Sequence, residues 1–225
     1  RPKTFIHNHR IYSMGGATST IAFSPINSSG TVGGWATTTP FPVSLGETAS
    51  RPAIWNNRVY ILGDYDRSVA IRYAQINSDG TLGAWQSGRS LPGPNQMGGP
   101  IYGGLIAFEG GLIFAGGSEY CPGIANELAY WSKILPDGSL SDWALIDSNI
   151  LGFPADDDFG DASGMVVSPL GYVYFVGGSG CSQATSTIQY AKLSSGNTFW
   201  GLSVPDGSAI GTYSGVNTIT AVYSP

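Results

Sequence analysis

The chain has 225 residues, of which 33 are Gly and 14 are Pro, and charged side chains make up only 11%. Gly and Pro at this density exclude a helical protein, since each costs about 1 to 3 kcal/mol inside a helix, while a 12% aromatic content supplies enough bulk for a core and excludes global disorder. A net charge of −5 with no basic run excludes nucleic acid as the main partner, because neutralising phosphates needs clustered Lys and Arg.

Taken in order, the chain repeats one grammar four times. An aromatic or aliphatic strand ends in Gly-Gly or a near relative at Ile11–Gly16, Val59–Asp64, Leu112–Gly117 and Tyr174–Gly178. A second strand follows, with an aromatic three residues before an aliphatic: Phe23 and Ile26, Tyr73 and Ile76, Trp131 and Ile134, Tyr190 and Leu193. A turn then carries Gly30, Gly80, Gly138 or Gly196, and Trp35, Trp85, Trp143 or Trp200 lies just beyond. The spacing between units is roughly 50 residues, the range of propeller and solenoid repeats. The second unit reads as four short strands near Pro52–Trp55, Arg58–Leu62, Ser68–Ile76 and Gly83–Trp85. Asn56-Asn57 and Asn77–Thr81 join them, chemistry that tolerates positive φ in tight hairpins. The recurrent Trp is expected to fill the space between adjacent sheets.

A period of this length, with a double Gly, a downstream aromatic and a downstream Trp, resembles the kelch repeat, one blade of a β-propeller. The resemblance spans nearly the whole chain. It rests on Gly15-Gly16, Gly116-Gly117 and Gly177-Gly178 with the four Trp, and departs from the pattern at Gly63-Asp64 and in the long aromatic-to-Trp spacing. It implies an all-β fold of kelch-like four-stranded blades, four blades plus one extra strand. The units span about 1–48, 49–98, 99–160 and 161–213, with the extra strand at 214–225. Arg1–Ile6 matches Arg51–Trp55, and Gly215–Pro225 can be laid over Gly164–Pro169, the first strand of a unit. A redundant, edge-exposing strand is expected of an excerpt from a longer array more than of a closed ring. That edge, Val216–Tyr223, is expected to self-associate.

In propellers, the loops between blades and between second and third strands share the face where ligands bind. This sequence would place Tyr65, Asp66, Arg67, Glu119 and Tyr120 there as ligand-binding candidates. The inter-blade segment holds Asp156, Asp157, Asp158 and Asp161. It reads as a solvated turn, with Ca²⁺ held by hard oxygen ligands as the functional alternative. Cys121 and Cys181 occupy near-equivalent loops of neighbouring units, and their equivalence favours a disulfide and an exported protein over two buried thiols. Asn27-Ser28-Ser29 fits a glycosylation sequon. The two histidines, His7 and His9, lie two apart on or beside a strand, where side chains could share a face, and no Ser/His/Asp set accompanies them.

The expected role is a non-enzymatic extracellular or cell-surface recognition or adhesion module, binding a glycan or protein ligand through the loop face. A glycan-active enzyme using loop carboxylates is one alternative, requiring paired carboxylates about 5 to 10 Å apart. A structural filament or spacer subunit is the other. No apolar run approaches the roughly 18 residues of a membrane span. No signal peptide precedes the patterned sequence, so an exported form would be mature or trimmed.

Overall fold

The computed structural model describes residues 2–45, 50–63, 69–92, 103–115, 129–146, 164–179, 184–193 and 199–204. They form four antiparallel four-stranded sheets, each built from four strands consecutive in sequence. The first holds β1 (Pro2–His7), β2 (Arg10–Gly15), β3 (Ile21–Pro25) and β4 (Ala36–Thr38). The second holds β5 (Ala53–Trp55), β6 (Arg58–Leu62), β7 (Ile71–Gln75) and β8 (Gln86–Ser87). The third holds β9 (Gly104–Phe108), β10 (Gly111–Ala115), β11 (Ala129–Lys133) and β12 (Ala144–Ile146). The fourth holds β13 (Gly164–Val167), β14 (Tyr172–Ser179), β15 (Ala184–Leu193) and β16 (Phe199–Val204). No helix occurs among the described residues, so none there could cross a membrane.

Consecutive sheets stack on one another. Side chains alternate across a strand, so each strand can feed two cores. In β6, Val59 and Ile61 face the first sheet, beside Tyr12, Met14 and Ile21. Tyr60 and Leu62 face the third sheet, beside Leu112 and Phe114. In β10 the other parity, Ile113 and Ala115, faces the fourth sheet at Met165 and Val173. Sheets buried on both faces in this way explain why β6 and β10 read as nearly unbroken apolar runs. The first strands of the later sheets approach one another, β5 against β9 and β9 against β13. Gly104 permits the second approach: a Cβ there would stand 2.7 Å from Met165 Cβ.

The turns follow the expected chemistry. Asn56 and Asn57 have φ of 44° and 56°, and Asn8 and His9 match them at 44° and 57°. In the β7–β8 hairpin, Asn77 N–H donates to Thr81 O and Gly80 N–H to Asn77 O. Leu135, Ser139 and Gly138 repeat that pattern between β11 and β12. Beyond each Gly an aliphatic pair closes the hairpin, Ile26 with Val32, Ile76 with Leu82 and Ile134 with Leu140.

Three expectations are corrected. The fourth strand of the second sheet is Gln86–Ser87, not Gly83–Trp85, because Tyr73 and Arg72 pair with Gln86 and Ser87 and leave the Trp85 ring to the space between sheets. Trp35 does not fill such a space: it is exposed, and no sheet of the described residues covers it. His7 and His9 do not share a strand face, as His9 sits in the turn after β1 at positive φ. The extra strand expected at 214–225 lies outside the described residues.

Candidate functional site

Antiparallel order within every sheet sends two kinds of connection to the same end: the one from second to third strand, and the one leaving the fourth strand. Hydrogen bonds tie them together there. In the first sheet, Ala17 N–H donates to Leu45 O at 3.1 Å, Leu45 N–H to Thr18 O at 3.0 Å and Phe41 N–H to Ser19 O at 2.8 Å. In the second, Leu91 N–H donates to Val69 O at 3.1 Å. Gly15, Gly16 and Ala17 are three successive residues at positive φ. That is strain for Ala17. Gly15 is also close-packed, since a Cβ would stand 2.8 Å from Leu45 Cβ.

The ligand candidates Tyr65, Asp66, Arg67, Glu119 and Tyr120 lie outside the described residues. So do Asp156, Asp157, Asp158, Asp161, Cys121 and Cys181. Gly63 and Val69, which flank Tyr65, Asp66 and Arg67, and Ala115 and Ala129, which flank Glu119, Tyr120 and Cys121, stand at this loop end. Among the described residues, no group of three His, Cys, Asp or Glu is placed to hold a metal ion.

At the opposite end and between sheets, polar side chains are engaged in holding the stack. The buried Tyr12 donates its hydroxyl to Gly80 O of the next sheet at 2.9 Å. Tyr60 repeats this one sheet later, donating to Gly138 O at 3.1 Å. Both glycines have positive φ, near 90°. The side chain of Arg10 covers Gly80 where a Cβ would stand, and that of Arg58 covers Gly138. Burial pushes the Tyr60 phenol up to about 12, with Arg58 pulling against it, and Tyr12 is raised for the same reason.

The hairpin acids are also structural. Asp79 Oδ1 accepts from the Thr81 hydroxyl at 2.7 Å and its N–H at 2.9 Å, and Asp137 does the same with Ser139. These bonds, the hydroxyl's first, hold both carboxyls below the usual range. Each hairpin is therefore fully tied at neutral pH and loosens as pH falls through the depressed value. His7 Nε2 lies 2.8 Å from Asn57 Oδ1, joining the first turn to the second sheet's turn. Arg89 and Asp142, 3.1 Å apart and both exposed, add little. The Trp143 indole donates to Arg89 O at 2.9 Å and makes the firmer link there.

Sequence reasoning missed this interlock of Arg, Tyr and hairpin Gly. Its signal was present, because Arg10-Ile11-Tyr12 and Arg58-Val59-Tyr60 share a repeat position. The third sheet has Gly111-Leu112-Ile113 instead, and the Trp131 indole occupies the space where a Gly111 Cβ would be.

No family model matches the chain, and no curated protein does. Among solved structures the chain is similar to that of YjhT, at 12% identity and a TM-score of 0.64, over 92% of this chain and 65% of that one. The similarity is one of all-β fold. The chain spans 65% of that neighbour's length.

Proposed function

We propose that the four sheets are kelch-like blades of a β-propeller and that the protein is an extracellular recognition module, binding a glycan or protein ligand at the loop end. The observation that carries this reading is the cross-bonding of the two kinds of connection there, Thr18 with Leu45 and Val69 with Leu91. A rigid stack that gathers its connections at one end is the common arrangement for binding loops. Tyr65 and Tyr120 would supply aromatic faces for sugar rings or a protein surface, and Asp66, Arg67 and Glu119 the polar contacts. Ca²⁺ at Asp156, Asp157, Asp158 and Asp161, and a bridge between Cys121 and Cys181, would order the same end in an oxidising compartment.

A glycan array probed with the whole chain, alongside a panel of glycoside substrates, tests the reading. Binding to a defined glycan class is expected, with Tyr65→Ala and Tyr120→Ala each weakening it about tenfold or more, as truncated aromatic anchors do. Release of free sugar from a glycoside would overturn it in favour of an enzyme.

A further inference from the structure

Of the ten asparagines in the chain, only Asn27 has Ser or Thr two positions on, in Asn27-Ser28-Ser29. That is the acceptor pattern for an N-linked glycan, and the fold places it where such a group can stand. The triplet is the tip of the β3–β4 hairpin, and all three residues are exposed. Their exposure does not depend on which sheets lie alongside. In the β7–β8 hairpin, Asn77, Ser78 and Asp79 hold the same places and are exposed too, although the first sheet packs there and buries Gly80 and Leu82 just beyond them.

The hairpin also keeps its bonds when Asn27 is substituted on nitrogen. Asn27 Nδ2 donates to Thr31 Oγ1 at 3.0 Å, while the backbone N–H of Asn27 donates to Thr31 O and its carbonyl accepts from Gly30. A side-chain amide carries two hydrogens, so a sugar can replace one while the other still serves Thr31. The third residue of the triplet is the one that sets this hairpin apart. Ser29 stands where the later hairpins have Asp79 and Asp137, whose carboxylates accept from the Thr81 and Ser139 hydroxyls at 2.7 Å. Ser29 Oγ lies 2.9 Å from Thr31 Oγ1, a neutral bond in place of a stronger charge-assisted one. The first hairpin thus gives up a firmer tie and gains the hydroxyl that completes the acceptor.

We propose that Asn27 is a site of N-linked glycosylation, with a lipid-pyrophosphate-linked oligosaccharide as the donor class. Asn27 Nδ2 bonds to the anomeric carbon of the sugar. The bond from that carbon to the pyrophosphate oxygen breaks, its electron pair leaves on the pyrophosphate, and one amide proton passes to base. Nothing is oxidised or reduced. The β3–β4 hairpin lies at the end opposite the connections that Thr18 with Leu45 and Val69 with Leu91 tie together, so the glycan stands clear of the ligand loops. The proposal rests on the extracellular placement proposed above, since this modification belongs to exported chains.

Peptide mapping by mass spectrometry tests it, on the protein isolated from the cells that make it and divided into internal and external fractions. In the external fraction the peptide spanning Asn27 should carry a glycan mass, and that peptide alone among those holding asparagine. Asn27→Gln and Ser29→Asp should each abolish the added mass, and Ser29→Thr should keep it. Ser29→Asp installs the residue that the later hairpins use, so it should melt no lower than unmodified wild type, which separates loss of the acceptor from loss of the fold. An external chain with Asn27 bare would overturn the proposal and leave the recognition reading standing. A chain found only inside the cell would overturn both. A glycan that persists in Ser29→Asp would place the attachment elsewhere and overturn the proposal equally.

Discussion

Replacing Tyr60 by Ala should destabilise the protein by about 4 kcal/mol, the scale of a large-to-small change in a packed core. The side chain is fully buried, stacked at 5.6 Å on Tyr73, and its hydroxyl donates to Gly138 O of the next sheet. Tyr60→Phe separates the two contributions: it keeps the ring and should cost about 1 kcal/mol, the usual net value of one hydrogen bond. Alkaline denaturation gives a second reading. The folded phenol is raised to about 12, while an unfolded tyrosine ionises near 10. A raised acid is protonated in the fold, so its contribution is complete below pH ~10 and is lost as pH rises toward 12. Tyr60→Phe should flatten that fall in part, with the other phenols raised by burial, Tyr12, Tyr73 and Tyr130, supplying the remainder. A Phe variant as stable as wild type at neutral pH, with the same alkaline slope, would remove the hydroxyl from the account.

Trp85→Ala should cost about 3 kcal/mol in a denaturant melt, whereas Trp35→Ala should cost less than ~1 kcal/mol. The two residues hold the same place in their repeats. Trp85 packs into the core between the first and second sheets, with the Phe41 ring edge-on at 4.7 Å and 71°. Trp35 faces outward. The Trp85 indole N–H is buried without a hydrogen-bond partner, so Trp85→Phe should be milder than the lost ring area alone would give. Equal losses for the two Ala variants would mean that the first sheet does not cover the second.

Much of the fold was legible because local chemistry decides it. Val59-Tyr60-Ile61-Leu62 has no polar interruption and lies between Asn56-Asn57 and Gly63, which reads as a short strand buried on both sides. Asn56-Asn57 and the Asn77–Thr81 hairpin demand positive φ, which the backbone adopts. The turn at Asn8-His9 was harder to see, since His is not a usual turn residue, although its φ values match those of Asn56-Asn57. The fate of Trp35 was not local at all. Its sequence context matches that of Trp85, yet among the described residues a sheet covers Trp85 and none covers Trp35. The fourth strand was misplaced for a related reason: an apolar Trp suggests a strand, yet here it packs between sheets while polar Gln86 and Ser87 make the ladder. The ligand candidates Tyr65, Asp66, Arg67, Glu119 and Tyr120 lie outside the described residues, where only the ends of their flanking strands, at Leu62 and Ala115, are placed. The interlock of Arg58, Tyr60 and Gly138 joins residues 78 positions apart, beyond the reach of any local pattern.

The interface between the first and second sheets recurs between the second and third, and oxidative footprinting of the tryptophans reads it. The whole chain is labelled with hydroxyl radicals at a dilution where it sediments as a monomer, and modification of each Trp is followed by mass spectrometry. Trp35 should be oxidised several-fold faster than Trp85 and Trp143, because it is exposed while the other two pack against the cores between sheets. Trp85 and Trp143 reacting as fast as Trp35 would contradict the stacking on which the rest is built.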